Sequence, residues 1–254
     1  REYRSGTVVR VDTDNGSVSI RHSDRDDIEI QSHVRAVSEE RAQQVSLIAA
    51  RDEDGVLSIR AQWPDDKRRN NEGCSFDILV PGAEGITIHT SNGRIEVVGL
   101  TGMADLHSSN GAIEVHHHAG SVTAHTSNGA ITLADVSGAV DAQTRNGKLE
   151  VSGAGGEVKA GTSNGKIRVD LSASSPGPVL ATTSNGSITL GIGPAFSGTL
   201  EMQTSNGALR AGEPAGATLI SSSKNRLELG FGDGEQTSVL RTSNGSIELQ
   251  SVAP

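Results

Sequence analysis

Over most of the chain, apolar and polar residues alternate in short runs on either side of a recurring four-residue signal, [Thr/Ser]-x-Asn-Gly. Its asparagine stands at Asn92, Asn110, Asn128, Asn146, Asn164, Asn185, Asn206 and Asn244, with an outlying copy at Asn15. The spacing is 18 residues from Asn92 to Asn164, then 21, 21 and 38. Six and four positions before the asparagine come pairs such as Ile86 and Ile88, Val122 and Ala124, Val140 and Ala142. Three and five positions after it come Ile95 and Val97, Ile113 and Val115, Ile131 and Leu133. Period-two alternation on both sides predicts strand, sharp bend, strand. A second glycine ten positions after the asparagine (Gly102, Gly120, Gly138, Gly156) marks the opposite bend.

Two strands and two bends in about 18 residues make one coil of a solenoid. Asn-Gly also starts hairpins, but a meander explains neither the near-constant period nor the same residue types at every register. The expected fold is therefore all-β: a single-stranded parallel β-helix whose coils stack at about 4.8 Å. On inward parity, Asn15, Asn92, Asn110, Asn128, Asn146, Asn164, Asn185, Asn206 and Asn244 should form an amide ladder, each donating to the next. Thr13, Thr90, Ser108, Thr126, Thr144, Thr162, Thr183, Thr204, Ser222 and Thr242 should form a hydroxyl ladder beside it. Ser222 belongs to a degenerate copy, Ser222-Ser223-Lys224-Asn225, in the 38-residue gap. There Asn225 takes the glycine position, as the next-best residue for a left-handed bend.

Between Arg21 and Gly85 the period breaks. The pattern predicts a strand over Asp27 to Gln31, a short helix from Ser38 to about Gln44, a hairpin of Val45 to Arg51 with Gly55 to Gln62, and a strand over Phe76 to Val80. Residues 1–85 are thus read as an embellished β-rich start, and 86–254 as the regular solenoid.

Composition agrees with a thin core. Aromatics are 2% of the 254 residues, so Val, Ile, Leu, Ala and Thr must fill the interior. The net charge of −9 and the want of any basic stripe beyond Lys67-Arg68-Arg69 exclude nucleic acid as a partner. No apolar run reaches the roughly 20 residues of a transmembrane segment. Cys74 is the one cysteine, so no intrachain disulfide forms. The chain opens Arg1-Glu2-Tyr3 without methionine, which fits a processed mature terminus or an edited boundary.

The segment Phe76-Asp77-Ile78-Leu79-Val80-Pro81, the run Ile86 to Val97 with Ser91-Asn92-Gly93 inside it, and the serial Asn-Gly units resemble the bacterial putative-adhesin β-strand-repeat family. The resemblance implies a right-handed parallel β-helix on an exported or envelope-associated bacterial protein, extracellular or at the cell surface. It carries no catalytic residues.

Candidate chemistry is sparse. His89, His107 and His125 each stand three positions before their asparagine and would form an outward column. Imidazoles about 5 Å apart can hold Zn²⁺, Ni²⁺ or Cu²⁺, but no acid or cysteine closes a tetrahedral set, so no metal and no cofactor is expected. Glu96, Glu114, Glu150, Glu228 and Glu248 recur in one column, yet Thr132, Arg168, Thr189 and Arg210 share it, as on a charge-balanced face and unlike a paired-carboxylate site. The sequons at Asn15, Asn185 and Asn244 should be inactive if those side chains point inward.

The unit from Val8 to Ile20 and that from Val239 to Leu249 are both regular, with no capping helix after the latter. Val9, Val11, Val18 and Ile20 at one end, and Leu240, Ile247 and Leu249 at the other, are therefore expected to be open assembly edges. That pattern predicts a non-enzymatic structural protein whose main partner is itself, stacking head to tail into an extracellular filament. The alternative is a monomeric surface adhesin that binds cell-surface or matrix components through a lateral face.

Overall fold

A computed structural model of the chain describes residues 8–212, 214 and 216–251; the terminal Arg1-Glu2-Tyr3 lies outside them. Each coil gives one strand to each of two sheets, of 13 and 11 strands. Gly85–Thr90, Met103–Ser108, Val122–Thr126, Val140–Thr144, Val158–Thr162 and Val179–Thr183 stack in parallel in the first sheet. Ile95–Val98, Ile113–His118, Ile131–Val136, Leu149–Ala154, Ile167–Leu171 and Ile188–Ile192 stack in the second. The register is that of the repeat: Val122 pairs with Val140 and Ala124 with Ala142. The parallel β-helix predicted from the pattern is the fold.

The core is a set of like-on-like columns. Ile95, Ile113, Ile131, Leu149, Ile167, Ile188 and Ile247 are each at most 1% exposed, and small Ala124, Ala142, Ala160 and Ala181 sit across a narrow interior. Each fully buried branched side chain contributes about 1.5–3 kcal/mol, so repetition supplies what large rings supply elsewhere.

The corner at the tetrad departs from expectation in three respects. The asparagines do form a ladder, each Nδ2 donating to the Oδ1 of the neighbouring coil: Asn110 to Asn92 and Asn128 to Asn110 at 2.7 Å, Asn146 to Asn128 at 2.8 Å. They lie at the exposed corner, however, and not on the inward parity. The hydroxyls do not bond one another. Thr126 Oγ1 donates to Gly111 O at 3.0 Å, Thr144 to Gly129 O at 3.0 Å and Thr162 to Gly147 O at 3.1 Å. A parallel coil presents the glycine carbonyl directly beside the next coil's hydroxyl, and that acceptor wins. The tetrad glycines are also not in the left-handed region. They are required because a Cβ would strike the coil beside it, 1.6 Å from Gly93 O at Gly111 and 1.8 Å from Gly129 O at Gly147.

Chain order is not coil order at the C-terminal end. Thr237–Asn244 pairs with Val179–Thr183 on one side and Gly198–Asn206 on the other, so the last coil in sequence is inserted between two earlier ones. The ladder follows space and not sequence: Asn244 donates to Asn185 and Asn206 to Asn244. The 38-residue gap holds no coil. Ala217–Ser222 and Arg226–Phe231 form an antiparallel hairpin that lies along Gly198–Asn206, anchored by Phe231 against Phe196 with ring centroids 5.2 Å apart. Ser222 is exposed in this hairpin and is not a rung.

The other end is covered as well. Leu57–Gln62 and then antiparallel Ser46–Arg51 extend the first sheet beyond Val8–Thr13. Gly73–Val80 and then antiparallel Glu29–Arg35 extend the second beyond Val18–His22. The helix Glu39–Gln43, capped by Ser38, places Arg41 Nε 2.7 Å from buried Glu72 Oε1. Glu72 O and Cys74 O receive the amide of Asn15 and the hydroxyl of Thr13, so both corner ladders end on this cap. Val9, Val11, Val18, Ile20, Leu240, Ile247 and Leu249 are consequently not edges: each is at most 2% exposed within the stack. The outermost strands run antiparallel to their neighbours, except short Leu209–Ala211. A bulge between Leu219 and Ser221 disrupts one of them. A bulge and a very short edge strand such as Leu209–Ala211 are ways in which edges are blunted against further pairing.

Candidate functional site

Away from the irregular strands at the ends, the side of the stack is the surface where repetition can build a site. In-register parallel pairing places Asp12, His89, His107, His125 and Gln143 in one outward column of the first sheet. Two residues earlier on each strand runs a second column of Arg10, Thr87, Asp105, Thr123 and Asp141. Residues two apart on a strand share a face, so Asp12 stacks on His89 and Asp105 stands beside His107, while His125 has Thr123 beside it and Asp141 on the next coil.

The imidazoles of His89 and His107 lie 5.2 Å apart and those of His107 and His125 5.1 Å, close to the spacing of the coils themselves. His89 Nδ1 is 3.3 Å from Asp12 Oδ1, and His107 Nε2 is 2.8 Å from Asp105 Oδ1. His125 Nε2 stands 3.8 Å from Asp141 Oδ1, beyond hydrogen-bond reach. One ligand atom from each of His89, Asp105 and His107 can be chosen so that all lie within 4.8 Å of one another. The sequence reading, which found no acid for the column, is corrected here. Asp12 shares the histidines' own register, three before Asn15, and Asp105 precedes His107 by two.

The column borders a cleft of about 510 Å³ between the first coils and the N-terminal hairpin, lined by Asp12, Arg60, Trp63, His89 and His107. Trp63, the one tryptophan, ends the strand Leu57–Gln62 and packs partly against the core. Nothing in the repeat pattern marks it, because it belongs to the embellishment.

The remaining candidates do not converge. His117 points outward in a left-handed conformation, with Nδ1 2.9 Å from Asp135 Oδ2. His118 turns inward, 1% exposed, with Nε2 2.9 Å from Gly102 O. Burial pushes its pKa down, partly offset by that carbonyl. Glu96, Glu114 and Glu150 are paired with Arg21, Arg94 and Lys148, while Glu228 lies in the terminal hairpin. The Cys74 thiol is buried and pushed up to about 11 by desolvation. The sequon asparagines Asn15, Asn185 and Asn244 lie at the outer corner with their amide nitrogens donating within the ladder or to Glu72 O. Among the described residues no helix is long and apolar enough to cross a membrane.

A family model described as Toastrack DUF4097 matches residues 7–250 of the chain. No curated protein matches it in sequence. Among solved structures, a putative adhesin from Bacteroides fragilis NCTC 9343 is similar, at 13% identity and a TM-score of 0.55, with 98% of this chain and 93% of that one covered. A putative cell adhesion protein from Clostridium sporogenes ATCC 15579 aligns at 11% identity over 97% of this chain and 93% of that one, with a TM-score of 0.30. The first of these likenesses is one of fold.

Proposed function

The chain belongs to the Toastrack DUF4097 family, and from that membership and the geometry of its stack we propose that it is a non-enzymatic bacterial surface protein that binds a partner through its lateral face. The observation that carries this reading is that irregular strands, antiparallel at three of the four sheet edges and a three-residue parallel strand at the fourth, lie outside the regular coils at both ends. It leaves the two lateral faces as the broad regular surfaces on offer, and of these the first sheet's outward columns border the Trp63 cleft. The name of the similar Bacteroides fragilis structure, a putative adhesin, supports export and a cell-surface or matrix component as partner. The ion-paired carboxylates of the glutamate column support a structural and not an acid–base role for the outer face of the second sheet.

End-to-end stacking into a filament is the competing reading. It needs unpaired strands at the ends, and the residues proposed for that contact lie inside the stack.

The test is binding of the purified full chain to immobilised matrix glycoproteins and bacterial surface polysaccharide, beside variants of the lateral face. Saturable binding that Trp63→Ala or Arg60→Glu weakens at least tenfold is expected. Binding indifferent to both, yet lost on substituting the outer strands at 217–222 or 46–51, would move the site to the ends and overturn the reading.

A further inference from the structure

We propose that His89, His107 and Asp105 form a binding site for a divalent transition cation of the Zn²⁺, Cu²⁺ or Ni²⁺ class. This site does not depend on which macromolecule, if any, the lateral face binds.

Two imidazoles and a carboxylate are a ligand set suited to these ions. With bonds of about 2.0–2.2 Å, tetrahedral ligand atoms stand roughly 3.3 Å apart. The pair His107 Nε2 and Asp105 Oδ1 is already at 2.8 Å, bridged by a proton in the metal-free chain. A cation can take that proton's place if the two atoms open by about 0.5 Å. His89 lies on the adjacent coil with its ring 5.2 Å from that of His107, and the three ligand atoms fit within 4.8 Å. All three side chains are 39–49% exposed, so small χ rotations can complete the contraction without disturbing the core.

Asp12 supplies the outer support that metal-bound histidines generally have. It stands 3.3 Å from His89 Nδ1, so His89 Nε2 is the nitrogen the proposal assigns to the cation. The fourth position stays open to water or to a donor from a partner. Selection among the histidines is also structural. His125 has its acid at 3.8 Å, and the run His116-His117-His118 splits, with His118 turned into the interior.

The experiment is titration calorimetry of ZnCl₂ into the full chain at pH 7.5, beside His107→Ala, Asp105→Asn, Asp12→Asn and, as a control, His117→Ala. Saturable binding of one ion per chain is expected. His107→Ala and Asp105→Asn should weaken it at least tenfold, Asp12→Asn by about tenfold, and His117→Ala should leave it unchanged. The substituted side chains lie on the outer face, and far-UV circular dichroism checks that each variant keeps its strands. Absence of saturable heat in the unaltered chain would overturn the proposal. So would binding that survives His107→Ala or disappears with His117→Ala.

Discussion

Gly129 sits in the middle of the stack, and replacing it with alanine tests how the coils are held together. A Cβ there would lie 1.9 Å from Gly111 O and 2.5 Å from Gly111 C. A relaxed contact needs roughly 3.5 Å, so the two coils must part locally by about 1.5 Å. Overpacking of this kind costs about 1–3 kcal/mol. The same displacement pulls Gly111 O from Thr126 Oγ1, now at 3.0 Å, which adds about 1 kcal/mol. The expected loss is therefore about 2–4 kcal/mol, or roughly 5–15 °C in Tm for a chain of this size. The assay is urea and thermal unfolding followed by far-UV circular dichroism. Gly212→Ala is the control. A Cβ there meets nothing within 4 Å, and the change should be neutral or stabilise by about 0.4–1 kcal/mol. The discriminating variant is Gly129→Asn. If the glycine served a left-handed bend, asparagine would be tolerated. Since it serves close approach, asparagine should destabilise at least as much as alanine. A Gly129→Asn chain near the stability of the unaltered protein, with Gly129→Ala impaired, would refute the steric argument.

The other expectations concern the ladder and the buried ionisable groups. Asn128→Ala removes two amide bonds, to Asn110 and from Asn146; both are exposed, so unfolding should show a loss of only about 1–2 kcal/mol, and Asn206→Ala at the end of the ladder should cost less. Glu72 is held down to about 2 against an ordinary value of 4.5, chiefly by its hydrogen bond from Arg41 and also by the backbone amides of Arg69 and Val37, against the opposing effect of burial. A depressed carboxyl stabilises fully above its unfolded pKa and stops doing so as pH falls through the folded one. The urea midpoint should therefore drop between pH 4.5 and 2, and less steeply in Glu72→Gln. His118 adds a second window: with its pKa lowered by burial, the unfolded chain takes up the proton first, so stability should decline as pH falls below 6.5, a slope that His118→Gln removes.

Much of this architecture is legible in the sequence. The coil length, the inward apolar positions and the pairing register follow from alternation around the tetrad, because a parallel stack repeats one environment at every coil, whereas the asparagines expected on the same inward parity stand at the exposed corner. Three features are not legible, each for a physical reason. Coil order is hidden because Val239 to Leu249 carries the same inward pattern as any other unit, so nothing local says that it inserts between two earlier coils. The hairpin of 217–222 and 226–231 reads as a damaged repeat because a strand's own pattern does not reveal whether its neighbour runs parallel or antiparallel. The reason for the glycines is hidden because φ and close approach select the same residue. At the lateral site the histidine column is visible in the sequence, while Asp105 is not, since its column mixes arginine, threonine and aspartate. Only the face shared by residues two apart joins it to His107.

The central claim is that this stack does not extend end to end and works through its side. Sedimentation velocity of the full chain, from micromolar to the highest soluble concentration, tests it most directly. The account predicts one species near 26.2 kDa throughout. Masses that lengthen with concentration, with unbranched fibres one stack wide in negative stain, would contradict it.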